Sequence, residues 1–222
     1  MRYLNFTLVG LIFLAATAVA AQDDITFTTS EGQVVRTVSA TTEPFDSLSA
    51  WENFVSPEGA ELGVDRGVYR AYSETAGYVW GLNDTTHTDA VIEADVLLMN
   101  IFTENGYGLM CRAAGDEADS GYFFMLNSNG YFAIFIGEEQ ALTPLVDWTR
   151  SDAVHAGIDS NHIQAICYGD YLALYVNGEL LAETSDDTFI SGYTGLAVAA
   201  ADNPVDVAFD NVGIYQLPRP RP

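Results

Sequence analysis

Two acidic side chains in the stretch IEADVLL have a spacing that bears on catalysis. Glu93 and Asp95 are two residues apart, and on a β-strand that spacing places both carboxylates on one face, about 6.5 to 7 Å apart along the chain. Retaining glycoside hydrolysis needs an acid and a nucleophile about 5 to 5.5 Å apart, on either side of the scissile bond. Because the two arrangements differ, we interpret the pair as part of a solvated strand face.

The histidines and cysteines form no pattern typical of a catalytic or metal site. His87, His155 and His162 lie in predicted loops or at a strand start, and the sequence has no Gly-x-Ser-x-Gly elbow. Cys111 and Cys167 have no His or Cys neighbours at ligand spacing, which argues against a metal site. The two cysteines are therefore either a disulfide or two buried free thiols.

The amino terminus has the three-part plan of a secretory signal. One Arg precedes an apolar run from Leu8 to Val19, and small residues follow, which predicts a signal peptide over residues 1–21, cleaved after Ala20 or Ala21. The alternative is a membrane anchor, but the run is shorter than the roughly 20 apolar residues that span a bilayer. We expect a secreted or cell-surface protein, whose oxidising surroundings favour the disulfide.

Short runs of alternating polar and apolar residues, separated by Gly, Asn and Asp, predict the elements that position these groups. Asn129-Gly130, Gly169-Asp170 and Asn177-Gly178 each suit a two-residue hairpin. An antiparallel sandwich follows from ten predicted strands: 67–73, 90–99, 107–112, 122–127, 131–136, 162–168, 171–176, 179–184, 194–200 and 205–215.

The alternation also predicts which side chains face the core, because successive side chains of a strand point to opposite sides. Cys111 shares a side with Leu109, and Cys167 shares one with Ile163, so both sulfurs face inward. The same reasoning puts Tyr168, Tyr171 and Tyr175 on solvent-facing sides of one hairpin, at residues 168–175.

The stretch from Trp51 to Tyr215 resembles the concanavalin A-like lectin and glucanase jelly roll, an all-β fold of two antiparallel sheets. The resemblance is closest to the laminin G-like and 3-keto-disaccharide hydrolase-type domains of secreted bacterial proteins. We expect one jelly-roll domain over residues 45–217, preceded by a Thr/Ser-rich linker or edge segment over 22–44 and followed by a Pro/Arg tail over 218–222. The segments that carry the resemblance are FDSLSAW, YGLMCRAAGD, GYFFMLNSNGYFAIF, NHIQAICYGDYLALYVNGELL, SGYTGLAVAA and VAFDNVGIY.

This resemblance implies carbohydrate chemistry in one of two forms. Laminarinase-type hydrolases of the fold carry a third carboxylate after a Glu-x-Asp pair, and here that position holds Leu97 or Leu98. The broken pattern favours a non-catalytic carbohydrate-binding or adhesion module. A glycosidase-like hydrolase of the 3-keto-disaccharide type and a purely structural or protein-interaction domain are the alternatives.

In such folds sugars generally stack on aromatic planes, while Asn, Asp or Arg side chains bind their hydroxyls. The residues are expected on a concave sheet or its rim, with Trp80 and Trp148 near loops. Arg112 could equally pair with Glu93 or Asp95, and aromatic residues also favour strands for packing alone. The candidate ligand-binding set is Trp80, Tyr107, Arg112, Tyr122, Asn127, Tyr131 and Trp148.

Many jelly rolls of this resemblance hold a structural calcium ion, for which Asp46 and Asp210 are the candidate ligands. Calcium takes six to eight oxygen ligands, so two aspartates are a fragment of a site, and Asp210 could instead form a turn hydrogen bond. The loop GDEADSG, residues 115–121, is a second acidic candidate, better interpreted as a charged connector.

Net charge narrows the class of partner. The 222-residue chain has 31 acidic and 8 basic residues, a formal net charge of -23, which disfavours the phosphate backbones of nucleic acids and anionic membrane surfaces. Apart from the amino-terminal run, no segment is apolar enough to span a membrane. We therefore expect a glycan or another cell-surface molecule as the partner.

Overall fold

The computed structural model describes residues 25–43, 45, 50–100, 102, 104–114, 120–138 and 141–219. Within these residues every regular element is a β-strand. The strands are β1 (Thr26–Thr28), β2 (Val34–Arg36), β3 (Ser39–Glu43), β4 (Phe54–Val55), β5 (Ala60–Asp65), β6 (Val68–Ser73), β7 (Gly77–His87), β8 (Ala90–Leu98), β9 (Gly106–Ala113), β10 (Gly121–Asn127), β11 (Tyr131–Glu138), β12 (Ala141–Arg150), β13 (Ser160–Tyr168), β14 (Tyr171–Val176), β15 (Glu179–Ser185), β16 (Gly192–Ala200) and β17 (Val205–Gln216).

Two antiparallel sheets form the sandwich, which confirms the predicted fold class. A six-stranded sheet has the order β12-β11-β10-β9-β16-β7. A nine-stranded sheet has the order β15-β14-β13-β8-β17-β6-β5-β4, with β3 also paired to β17. The crossovers bring strands distant in sequence side by side, so each outer face is assembled from several parts of the chain.

The alternating residues of both sheets bury one continuous core between them. Leu109 and Phe124 enter it from the six-stranded sheet, and Leu174 and Phe209 enter from the nine-stranded sheet. A disulfide joins Cys111 on β9 to Cys167 on β13, with 6.8 Å between the Cα atoms. The predicted bridge is confirmed, and it links the two sheets through the core.

Several strands were not predicted, notably β7 and β12. β7 contains Gly81 and the polar pair Asn83 and Asp84, which interrupt the alternation that indicates a strand. β12 contains Pro144, which lacks a backbone donor, but β12 is an edge strand and there that donor is not required. Trp80 and Trp148 therefore lie on strands, whereas the sequence placed them near loops.

The amino-terminal residues 25–43 form three strands, and two of them cover part of the nine-stranded sheet. β1 pairs with β2 alone, and this hairpin places Phe27 parallel to the ring of Tyr171, 6.2 Å between centroids. Tyr168 and Tyr171 are only 4% and 5% exposed. The predicted outward direction of these side chains is right, but the predicted exposure to solvent is wrong, because the hairpin covers them.

Two of the three predicted hairpin turns have the expected length. Gly169-Asp170 and Asn177-Gly178 each connect directly paired residues, and both residues of the second turn have positive φ, 51° and 83°. The predicted two-residue turn at Asn129-Gly130 is wrong, since three residues, 128–130, separate β10 from β11. The side chain of Asn127 accepts hydrogen bonds from the backbone of Asn129 and Tyr131 there, which accommodates the longer loop.

Some predicted features fall outside the described residues. They include the signal peptide, Asp46, the acidic side chains of the GDEADSG loop and the end of the Pro/Arg tail. In the part of the chain that is described, no helix has the length and hydrophobicity to cross a membrane.

Candidate functional site

A band of aromatic rings crosses the outer face of the six-stranded sheet. Tyr78 and Trp80 on β7 each contact Phe123 on β10 edge to face, with centroids 6.3 and 6.4 Å apart. Trp148 on β12 contacts Phe135 on β11 in the same way, at 5.6 Å. Because Phe123 and Phe135 are cross-strand partners, the five rings form one continuous feature, which we call the aromatic band.

Small residues in the intervening strands allow these rings to meet. Ala197 lies between Trp80 and Gly108 in the register, so little side-chain volume separates β7 from β10 on this face. At Gly195 an added Cβ would lie 2.9 Å from the side chain of Leu82 and 3.2 Å from Met110. The face is therefore filled by a few large side chains.

The ends of the aromatic band are accessible, whereas its centre is buried. Tyr78 and Trp148 are 39% and 40% exposed and Trp80 is half-buried, while Phe123 and Phe135 are 0% and 7% exposed. Large exposed rings held edge to face by buried ones have fixed orientations. Such rings can offer an apolar plane to a ligand with little ordering of the side chain.

Two further candidate residues, Asn127 and Tyr131, lie on this same outer face. Their neighbours Leu126 and Phe132 point into the core, so alternation directs Asn127 and Tyr131 outward. Both side chains are half-buried. The structure thus brings together Trp80, Trp148, Asn127 and Tyr131 on the outer face of one sheet.

Tyr107 and Tyr122 are buried in the core and have internal partners. The hydroxyl of Tyr107 accepts a hydrogen bond from Asn161, at 3.0 Å. The hydroxyl of Tyr122 donates to Asp186 at 2.6 Å, and burial raises the pKa of Tyr122 to about 12, with the neighbouring Asp186 adding to the shift. At 1% and 0% exposure, neither side chain has surface to offer a ligand, and we assign both to packing.

Arg112 is likewise buried, at 2% exposure, and holds the end of the sandwich together. Its guanidinium donates to the backbone carbonyls of Thr88, Gly169 and Phe189 at 2.8 to 2.9 Å. It also donates to the carboxylate of Asp89 at 3.3 Å. The acidic partner is therefore Asp89. The alternative pairing of Arg112 with Glu93 or Asp95 is not formed, because those side chains lie on the outer face of the other sheet.

Glu93 and Asp95 point away from the core on the nine-stranded sheet and form a hydrogen-bonded cluster with His162. The Nδ1 atom of His162 is 2.8 Å from Asp95, and its Nε2 atom is 3.6 Å from Glu93. Glu93 also accepts hydrogen bonds from Tyr215 at 2.6 Å and Gln164 at 3.1 Å. The pair is thus partly buried and engaged in a network, rather than simply solvated.

Electrostatics in this cluster favour a charged histidine. The carboxylate of Glu93 raises the pKa of His162 to about 9 against the lowering effect of burial, and Asp95 raises it further. Burial alone would raise the pKa of Glu93, but the nearby His162 and the hydrogen bonds from Tyr215 and Gln164 outweigh it, and the pKa is lowered. A deprotonated Glu93 beside a protonated His162 is suited to an ion pair between strands.

The described residues supply little of the predicted calcium site. Asp210 accepts a hydrogen bond from the backbone of Asn211 at 2.7 Å, as in the turn-type alternative, and lies opposite Asp95 in the register. No group of three acidic, histidine or cysteine side chains within the described ranges is arranged to hold a metal ion. Asp210 alone does not make a site for an ion that needs six to eight oxygens.

Three residues of the aromatic band were absent from the sequence-based set: Tyr78, Phe123 and Phe135. A signal for them exists, because Phe123 and Phe135 alternate with core residues on strands that were predicted. What the sequence lacks is the register that sets β7 beside β16, and that register is what unites the two halves of the band.

Comparison with known proteins identifies the architecture. No family model matches the chain, and no curated protein does. Among solved structures, a carbohydrate-binding module, CBM66 from Bacillus subtilis, is similar to this chain with a TM-score of 0.60 at 19% identity. The match covers 74% of this chain and 94% of the module. The fold is a concanavalin A-like jelly roll.

Other solved jelly rolls of this kind differ in function. The Bacillus licheniformis β-glucanase has a TM-score of 0.54 at 11% identity, covering 81% of this chain and 98% of its own. The VIP36 exoplasmic/lumenal domain, solved in a Ca2+/Man3GlcNAc-bound form, has a TM-score of 0.60 at 11% identity, covering 82% and 90%. At these identities the likeness establishes the jelly-roll fold, and function must be argued from the residues of this chain.

Proposed function

We propose that this jelly roll binds neutral glycans outside the cytoplasm without cleaving them, through the aromatic band. The observation that carries the proposal is that Tyr78 and Trp148 are exposed at the two ends of the aromatic band, with half-buried Trp80 beside Tyr78. The buried rings of Phe123 and Phe135 hold them on one sheet face. Flat apolar rings with polar neighbours such as Asn127 match a sugar, which has an apolar C–H face and a rim of hydroxyls.

Several further observations support this proposal. The net charge of -23 disfavours polyanionic ligands by long-range repulsion, so a neutral ligand suits the surface. The buried disulfide is typical of proteins outside the reducing cytosol. Solved structures with the same fold include a carbohydrate-binding module, a glucanase and a lumenal domain in a glycan-bound form.

Binding is favoured over hydrolysis by the position of the carboxylates. Glu93 and Asp95 lie on the outer face of the nine-stranded sheet, whereas the aromatic band lies on the outer face of the six-stranded sheet. A sugar stacked on the band is therefore separated from this acidic pair by the whole sandwich. The 3-keto-disaccharide hydrolase alternative would need a different acidic pair or a different sugar site.

A neutral glycan array tests the proposal. We expect wild-type protein to bind at least one class of neutral glycan, and Trp148→Ala to weaken that binding about tenfold or more, since a well-packed aromatic anchor contributes over 1 kcal/mol. Leu180→Ala is the matched control, because Leu180 is 41% exposed on edge strand β15. Equal binding by wild type, Trp148→Ala and Trp80→Ala would refute the proposed site.

A further inference from the structure

A second surface with binding features lies on the outer face of the nine-stranded sheet, on the opposite side of the sandwich from the aromatic band. Two adjoining depressions of about 380 and 430 Å³ are found there. Both are bordered by Asp65 and Arg70. The two depressions together run across strands β5, β6, β17 and β8.

Small residues on either side of Arg70 create this relief. The register places Gly63 on β5 opposite Arg70, and Ala208 on β17 opposite its other side. A Cβ atom at Gly63 would lie 2.3 Å from the side-chain oxygen of Asn53, so no side chain can fill that position. Arg70 thus stands as a ridge between two low areas.

Arg70 and Asp206 form a fixed pair of hydrogen-bonding groups on this ridge. Arg70 donates twice to Asp206, from Nε at 2.9 Å and from Nη2 at 2.8 Å, and its guanidinium lies 5.5 Å from the ring centroid of Tyr72. The side chains of Arg70 and Asp206 are 36% and 17% exposed. A guanidinium has five N–H donors and a carboxylate about four acceptor sites, so donors and acceptors remain free side by side.

The larger depression adds an apolar wall to this polar pair. Leu97 and Met99 line it and are 40% and 54% exposed, and Val68 and Ala208 complete it. The two arginines at this depression, Arg66 and Arg70, are each paired with an aspartate, Asp65 and Asp206. The surroundings therefore have no surplus positive charge. The depression therefore suits a neutral group that has an apolar face and an edge of hydroxyls.

We propose that this surface, comprising Arg70, Asp206, Leu97, Met99 and Ala208, is a second carbohydrate site that binds a sugar ring through two neighbouring hydroxyls. One hydroxyl accepts from Arg70 and the other donates to Asp206, while the C–H face packs on Leu97 and Met99. The protein then holds two glycans on opposite faces of the sandwich. The inference rests on this surface alone and does not depend on the aromatic band.

Amide NMR titration with methyl glycosides of glucose, galactose and mannose tests the second site. At least one glycoside should shift the amides around Arg70, Leu97 and Ala208. Asp206→Asn should weaken that response about tenfold or more, because it removes a charged acceptor. Ala208→Leu should abolish the response by filling the depression; Ala208 points away from the core, so this variant should keep the wild-type spectrum elsewhere.

Two controls separate the possible outcomes. Cyclohexanol has a ring of similar size with one hydroxyl. Equal shifts with cyclohexanol would show that the surface binds any apolar ring, and would overturn the assignment of a carbohydrate site. In a Trp80→Ala/Trp148→Ala background, the response at Arg70 should persist, whatever happens at the aromatic band. If no glycoside shifts these amides in wild type, the second site is refuted even where the glycan array shows binding by the band.

Discussion

The guanidinium of Arg112 lies 3.3 Å from the carboxylate of Asp89, and the two side chains are only 2% and 4% exposed. Asp89 also accepts a hydrogen bond from the backbone of Gly169 at 2.8 Å. Arg112 has a φ of 54°, which turns its side chain toward the end of the sandwich. The pair ties the β7–β8 turn to the β13–β14 hairpin, close to the disulfide.

Replacing Arg112 with Ala should destabilise the protein by about 3 to 5 kcal/mol, because a buried Asp89 is left without its counter-ion. Urea denaturation followed by tryptophan fluorescence measures the change. Arg66→Ala is the control and should leave stability unchanged, since Arg66 is a solvent-exposed partner of Asp65. Similar stability for both variants would contradict the structural role of Arg112.

Loss of the disulfide should also lower stability, by about 4 kcal/mol on the chain-entropy model for a loop of this length. The two cysteines are 56 residues apart in sequence. The measurement compares urea midpoints for wild type and the Cys111→Ala/Cys167→Ala double variant. Reducing agent should lower the wild-type midpoint and leave the variant unchanged, and a shift in the variant would point to another cause.

The cluster around His162 should make stability depend on pH. The pKa of His162 is raised to about 9 in the folded protein, so its contribution is complete below the ordinary histidine value near 6.5 and is lost as pH rises through 9. Glu93 has a lowered pKa, so its contribution is present above the ordinary glutamate value and is lost in acid. The cluster therefore stabilises the protein most between the ordinary pKa of glutamate, 4.5, and the ordinary pKa of histidine, 6.5.

Comparison of wild type with His162→Gln across pH 5 to 10 checks this expectation. The stability difference should shrink as pH rises from about 6.5 to about 9 and be nearly absent above that, and it should stay under about 1 kcal/mol because the side chain is partly exposed to solvent. An NMR titration of the His162 ring supplies the pKa directly. A pH-independent difference would show that packing, rather than charge, is what His162 contributes.

The hydrolase alternative has its own test at the acidic pair. We expect wild-type protein to show no turnover of 3-keto disaccharides, because Glu93 and Asp95 are engaged with His162 and its neighbours. Product release is followed by chromatography, with a heat-denatured sample as the blank. Turnover that Glu93→Gln or Asp95→Asn abolishes would replace the binding proposal with a catalytic one.

The ten predicted strands all exist in the structure, and the core positions of Leu109, Cys111, Ile163 and Cys167 were predicted from alternation alone. β12 escaped prediction because an edge strand can tolerate Pro144. The ligand-binding residues were harder to predict than the strands, since the buried Tyr107 and Tyr122 are the same residue type as Tyr131 on the outer face. Only the burial of their rings between the sheets separates them from the residues on the outer faces.

The sequence by itself determined the two-sheet sandwich and the inward direction of both cysteines, because strand alternation depends only on neighbouring residues along the chain. Tertiary structure decided which strands lie side by side. It placed Trp80 against Phe123 across β16 and β9, and it covered Tyr171 with Phe27. Such contacts depend on long-range register, which the packing of the whole sandwich fixes and no local pattern specifies.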